Sequence, residues 1–262
     1  EPLMVSPYIS PAAVHMTQAD FESELLSICG DVRLLWMPLS TDSTTSTSKD
    51  RNERTVTYSK DVRTFDTPPS RLGNGYAVTF DGTDEEADTP DVGALSFGDG
   101  VVDQPFSVLS LVSGTLSANV IASKAAQNNN EWFFGITYSG KTRVEFIDVS
   151  ASAQIGRTMP TPTADTWTLV SSTYDGSGVS NGIKLYQNAA QVDDGDSKSG
   201  TYTAMEPLGS TGKVGFYNNG SGVDTYFFNG SIGFVLVTAK ELTAAEQWQI
   251  KILVNWFYGL SL

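Results

Sequence analysis

Residues 167–192 read WTLVSSTYDGSGVSNGIKLYQNAAQV. Thr166 to Tyr174 is a β-branched and aromatic run that ends on Asp175-Gly176. After a loop rich in Gly and Ser, a second extended run follows from Gly182 to Tyr186. Side chains branched at Cβ pack well on a pleated surface, and Gly, Asn, Asp and Ser accept turn geometry. Runs of one kind bounded by the other therefore predict paired antiparallel strands. Asn188-Ala189-Ala190 offers a further turn before Gln191-Val192-Asp193.

On either side of this stretch the same signal recurs at short, even spacing. Strands are expected over Phe106–Val112, Ala118–Ser123, Trp132–Tyr138, Arg143–Val149, Ile183–Gln187, Gly212–Phe216 and Tyr226–Val237. Asn128-Asn129-Asn130, Ser139-Gly140-Lys141, Asp194-Gly195-Asp196 and Asn218-Asn219-Gly220 punctuate them as turns. That order is an all-β sandwich, not strands alternating with helices. Upstream, Val32–Leu39 is the first strand of the main domain. In GYAVTFDGTD, residues 75–84, Tyr76, Val78 and Phe80 alternate with Ala77 and Thr79 as in a half-buried strand.

Two helices flank the strands. Thr17 caps the first, with Asp20 three residues on, Phe21, Leu25 and Ile28 at helical spacing, and Gly30 as the stop. The second opens on a Thr243/Glu246 capping box. Its apolar residues, Trp248 to Phe257, cover about 240° of arc, more than one sandwich face buries. Either Phe257 to Leu262 leave the helix and fold back, or the surplus meets another subunit. Domain organisation is thus an extended N-terminal arm and short helix over residues 1–30, then a sandwich with a C-terminal helix over residues 31–262.

Several separated motifs resemble, in order, the laminin-G-like, concanavalin A-like jelly-roll family. Trp36, Pro38 and Leu39 match its entry strand. Val78, Phe80, Asp81, Gly82 and Asp84, then Pro90, Leu95, Phe97, Gly98, Phe106, Ser107 and Val108, match its central signature. Trp167, Val170, Tyr174, Asp175, Gly176, Leu185, Tyr186 and Asn188 match a third, and Gly230, Ile232, Val235, Val237, Leu242 and Glu246 match the end. Ala189, Glu85-Glu86 and Gly233 stand where the family has Gly, Asp-Tyr and Asp. The resemblance implies a two-sheet antiparallel jelly-roll sandwich. It covers residues 32–258 and is nearest the divergent kind found in bacteriophage virion proteins.

Charge and composition exclude several functions. With 16 basic and 30 acidic residues the net charge is −14, which repels a phosphate backbone and an anionic membrane surface. No nucleic acid partner and no membrane insertion are expected. Cys29 is the single cysteine and His15 the single histidine, so neither a disulfide framework nor a Ser-His or Cys-His triad is in view. The first 16 residues, lacking a charged start and an apolar core, do not read as a signal peptide.

Three functional groupings remain. Asp81, Asp84 and Asp88, with Glu85 and Glu86 between them, are hard oxygen ligands on one turn; they suit Ca²⁺, an ion the resemblance also implies. The simpler reading of the same residues is a solvated acidic loop. Trp132, Tyr138, Tyr174 and Tyr217 are candidates to stack on sugar rings, within a pool of aromatics that mostly serves the core. Tyr8, Phe21, Leu25, Trp256 and Phe257 are candidate assembly contacts to self or virion subunits. Glycosidase chemistry needs two carboxylates flanking one bond, and Glu145 and Asp148 are three apart, on opposite faces of a strand. The expected protein is therefore a non-enzymatic structural or attachment protein on a virion exterior, assembled as a homo-oligomer and adhering to glycans. The alternatives are a calcium-dependent carbohydrate-binding module of a secreted bacterial protein and, last, a glycoside hydrolase.

Overall fold

The computed structural model describes residues 16–39, 47–50, 55–58, 70–89, 93–114, 120–126, 129–136, 141–218 and 224–262. In chain order the first elements are α1 (Gln18–Cys29), β1 (Val32–Trp36), β2 (Thr47–Lys49), β3 (Thr55–Tyr58), β4 (Ser70–Leu72), β5 (Gly75–Asp81) and β6 (Ala87–Thr89). Next come β7 (Phe106–Gly114), β8 (Val120–Lys124), β9 (Trp132–Ile136), β10 (Lys141–Asp148), β11 (Ala153–Pro160), β12 (Thr168–Tyr174) and β13 (Ile183–Gln187). The chain ends with β14 (Ala190–Gln191), β15 (Gly195–Ser199), β16 (Gly212–Val214), β17 (Phe216–Asn218), β18 (Asp224–Phe227), β19 (Asn229–Thr238) and α2 (Ala244–Tyr258).

These strands make two antiparallel sheets. The first runs β14-β13-β12-β7-β19-β5-β4, with β1 also on β19; the second runs β15-β11-β10-β9-β8-β16-β6-β3-β2. A separate hairpin, β17–β18, completes the set. One core lies between the sheets, with Trp36, Phe80, Phe106 and Val235 from the first facing Trp132, Phe134, Phe146 and Ile155 from the second. A second core lies on the outer face of the first sheet, where Leu109, Leu111, Phe234 and Leu236 meet α1 and α2. The central strands of the first sheet are therefore buried on both faces, which is why β19 carries a near-continuous apolar run from Ile232 to Val237 and the serines Ser107 and Ser110 of β7 are buried with their apolar neighbours.

Both capping boxes form: Thr17 with Asp20, and Thr243 with Glu246. Gly30 ends α1 and a left-handed Gly259 ends α2. The rings of Phe21 and Phe257 stack at 4.3 Å, with Phe234 and Tyr258 edge-on to Phe21. This corrects the assembly role expected of Phe21, Leu25 and Phe257: all three are buried within this chain, in the core beneath the helices. Residues 18–29 thus belong to the packed layers. Phe257 also stays helical rather than leaving the helix, and Gly233 leaves room for the Tyr258 ring, whose hydroxyl donates to the Gly233 carbonyl at 2.9 Å. Burial pushes the Cys29 thiol up to about 12, as befits an inert core thiol.

Candidate ligand-binding face

Helices cover the outer face of the first sheet, while the outer face of the second carries a polar and aromatic patch. On β10, Val144 and Phe146 enter the core, so Arg143 and Glu145 project the other way. Glu145 pairs across with Phe133 on β9 and Gly156 on β11, and Gly156 pairs with Ser197 on β15. One rung thus runs Phe133, Glu145, Gly156, Ser197. Ser197 Oγ donates to Glu145 Oε1 at 2.6 Å, and Arg143 Nη1 lies 2.7 Å from the same oxygen. A Cβ on Gly156 would meet the Val144 carbonyl and lie 2.8 Å from Glu145 Cγ. Glycine lets the carboxylate cross its neighbour strand.

The Arg143 guanidinium sits 5.4 Å from the Phe133 ring centre, a cation–π distance. The β17–β18 hairpin supplies the other wall, with Tyr217 4.7 Å from Phe133 and 5.9 Å from Tyr226. Asn130 Nδ2 donates to the Tyr217 hydroxyl at 3.3 Å. Burial holds the Glu145 carboxyl above its usual range, against the pull of Arg143 and Ser197. Burial and the nearby Glu145 charge push the Tyr217 hydroxyl up to about 12. The face thus offers a charged donor, Arg143, with tyrosine rings beside it, while the buried Glu145 beneath holds the guanidinium in place. Such a set suits adjacent hydroxyls on a ring with an apolar face.

Asp148 turns to the other side of β10. Although burial opposes it, backbone N–H groups of Ala151 and Thr203, at 2.9 and 3.0 Å, hold its carboxyl below the usual range. The Glu145/Asp148 pair is split between faces, and this pair cannot flank one glycosidic bond.

Of the aromatics expected at a ligand, Tyr217 lies on this face and Tyr138 lies outside the described residues. Trp132 and Tyr174 are corrections, for both are core residues. Trp132 Nε1 donates to the Leu95 carbonyl at 2.9 Å, and Tyr174 donates to Asp103 Oδ2 at 2.7 Å. Tyr202 donates to the same oxygen at 2.7 Å, so Asp103 pins three segments together. Tyr8 also lies outside the described residues, and Trp256 is exposed on α2.

The acidic turn is self-contained. Asp81 Oδ1 accepts from the Thr83 N–H at 2.6 Å, as a turn residue does. Asp88 is ion-paired with Lys213, which also reaches Glu86 at 3.3 Å. Asp81, Asp84 and Asp88 do not converge, and among the described residues no group of three or more His, Cys, Asp or Glu is placed to hold a metal.

Arg143, Phe133, Asn130 and Ser197 were not singled out from sequence. The Arg143-Val144-Glu145-Phe146 alternation could have revealed the first. Ser197 could not be found this way, because β15 reads as a polar turn.

A family model described as the concanavalin A-like lectin/glucanases superfamily matches residues 109–246. The chain belongs to that superfamily. No curated protein matches this superfamily member in sequence. Its fold is similar to domain 4 of an extracellular GH43 arabinanase from Geobacillus stearothermophilus, solved with arabinotriose. That likeness has TM-score 0.56 and 14% identity over 84% of this chain and 98% of that one. It is also similar to the binding domain of botulinum neurotoxin serotype D, at TM-score 0.58 and 13% identity over 87% of this chain and 52% of that one. The binding domain of Paraclostridial Mosquitocidal Protein 1 gives TM-score 0.56 and 10% identity, over 86% and 52%. This lectin-like chain spans about half the length of the two toxin domains. At such identities the likeness establishes the fold.

Proposed function

We propose that this domain is a non-catalytic module that recognises a neutral glycan on the outer face of the second sheet. The observation that carries the reading is the Arg143–Glu145 pair on the outer face of β10, beside Tyr217 and Tyr226. The similar folds include an arabinanase domain solved with arabinotriose and toxin binding domains, which supports a binding role. Neutral ligands follow from the net charge of −14, which repels anionic glycans. The setting we propose is an attachment protein on a virion exterior, supported by the motif resemblance to bacteriophage virion domains.

The test is a titration of the intact chain against an array of neutral and acidic oligosaccharides, arabinotriose included. Binding of a neutral glycan should weaken about tenfold or more in Tyr217→Ala and Arg143→Ala, a loss of at least about 1.4 kcal/mol, and persist in Trp256→Ala. Binding only to acidic glycans, or equal binding by all variants, would overturn the reading. Repeating it with and without calcium tests a role for the ion at Asp81, Asp84 and Asp88.

A further inference from the structure

On the side of the sandwich away from Arg143 and Tyr217, α1 and α2 line a groove of about 790 Å³. Its two walls differ in chemistry. Asp20, Glu24 and Ser27 follow one another along α1 at spacings of four and three, so they share one helical face. Ile252 and Trp256, one turn apart on α2, form the opposite wall with Leu253 beside them. Trp248 continues the row, and Trp248, Ile252 and Trp256 are 54%, 53% and 46% exposed. At 1.5 Å per residue the row is about 12 Å long. Three large apolar side chains in line, on a helix whose opposite face is packed, are the mark of an interaction surface.

The charges around the groove are unbalanced. Its lining carries the carboxylates of Asp20, Glu24 and Glu246 against the single ammonium of Lys240. Lys240 is occupied within the chain, ion-paired with Glu246 and donating to the Ile28 carbonyl at 3.0 Å. Hydrogen bonds from Thr17 hold the Asp20 carboxyl below its usual range, so it is an anion at neutral pH. Among the described residues Glu24 makes no ion pair or hydrogen bond.

We propose that this groove binds a basic amphipathic helix of another protein. The helix sets an apolar row against Ile252 and Trp256 and directs Lys or Arg side chains to Asp20 and Glu24. Charge complementarity selects this occupant. The apolar row by itself fits any amphipathic helix, and the facing carboxylates favour a cationic one. Lys and Arg suit such a two-walled groove, because their stems lie along apolar surface while their heads reach the carboxylates. A partner helix of about three turns covers the row. The net charge of −14 draws a cationic partner in and sets a second copy of this chain at a disadvantage.

The test uses the full chain and synthetic peptides of about 14 residues, or four helical turns. One peptide carries Leu along one helical face and Lys elsewhere, the second replaces Lys by Glu, and the third scrambles the first. Anisotropy of the labelled peptide, helix gained by circular dichroism and mass by light scattering are the readouts. The ordered Lys peptide should bind and gain helix, and the other two should bind at least about tenfold more weakly. Ile252→Ala/Trp256→Ala and Glu24→Lys should each weaken it about tenfold. Glu206→Lys, which reverses an acid on the loop beside Gly100, should change it less than about twofold. Equal binding of the ordered and scrambled Lys peptides would overturn the proposal. So would equal losses in Glu24→Lys and Glu206→Lys, which would mark attraction to overall charge, or no binding of any peptide. A concentration-dependent dimer that Ile252→Ala/Trp256→Ala dissolves would overturn it too, since the row would then belong to a second copy. Tyr217→Ala should bind the Lys peptide as the unsubstituted protein does, which separates this test from that of the sheet face.

Discussion

Removing the carboxylate of Glu131 should cost this fold more than any surface change. Lys124 Nζ lies 2.6 Å from Glu131 Oε1, and both side chains are fully buried. The same Glu131 oxygen accepts from the Leu208 N–H at 2.9 Å and from Ser96 Oγ at 3.2 Å, while Nζ donates to the Leu208 carbonyl at 2.9 Å. One ion pair thus ties β8 to two loops. Glu131→Ala strands an ammonium with little to solvate it, and breaking a buried pair from one side costs about 3–5 kcal/mol. In a chain of this size that is about 10 °C of Tm. Replacing both partners by Lys124→Met/Glu131→Leu removes the stranded charge. It still leaves the Leu208 N–H and carbonyl unpaired, at about 1–3 kcal/mol. Glu131→Ala loses the same partner for the Leu208 N–H and keeps the buried charge besides, so the double variant should be the more stable of the two. Urea unfolding followed by near-ultraviolet circular dichroism measures all three. Loss of less than about 1 kcal/mol in Glu131→Ala, or a double variant no more stable than the single one, would refute the reasoning.

Ala189→Gly should stabilise the protein by about 1 kcal/mol in the same assay. The two-residue turn between β13 and β14 holds Asn188 and Ala189 at φ of 49° and 67°, a left-handed conformation that penalises alanine. Glu145→Gln should change the pH dependence of stability. Burial raises the folded Glu145 pKa, so the folded state holds that proton more tightly, and the carboxyl's contribution is present at low pH and lost as pH rises through the folded value. The stability of Glu145→Gln relative to the unsubstituted protein should therefore increase from pH 4 upward; a flat difference would contradict it.

Where a strand has one or two apolar faces, its sequence announces it. Ile183–Gln187 was read to the residue, and β7, β10 and β12 to within two at each end. The short strands β2, β3, β4 and β6 escaped, as did β11 and β15. Gly156, Arg157 and Pro160 obscure the alternation of β11, and β15, GDSKS, is an edge strand with no buried residue. The expected Gly212–Phe216 strand is cut at Gly215, whose φ of 79° turns the chain out of the second sheet into the hairpin that carries Tyr217. Local pattern cannot see that step, nor which tyrosine it lifts onto a face. Trp132 and Tyr174 carry the same sequence signal as Tyr217 and differ only in which side of a sheet they meet. Both N-terminal caps and the Gly30 stop, being local hydrogen-bond chemistry, were legible, whereas the stop of α2 at Gly259 was not singled out.

The helical layer has a geometric consequence. Met16 and Leu262 both pack into the core beneath the helices, on the opposite side of the sandwich from Arg143 and Tyr217. The domain therefore has a back and a front. The helical layer closes the back, and Arg143 and Tyr217 look outward from the front, as a palm does at the end of a wrist.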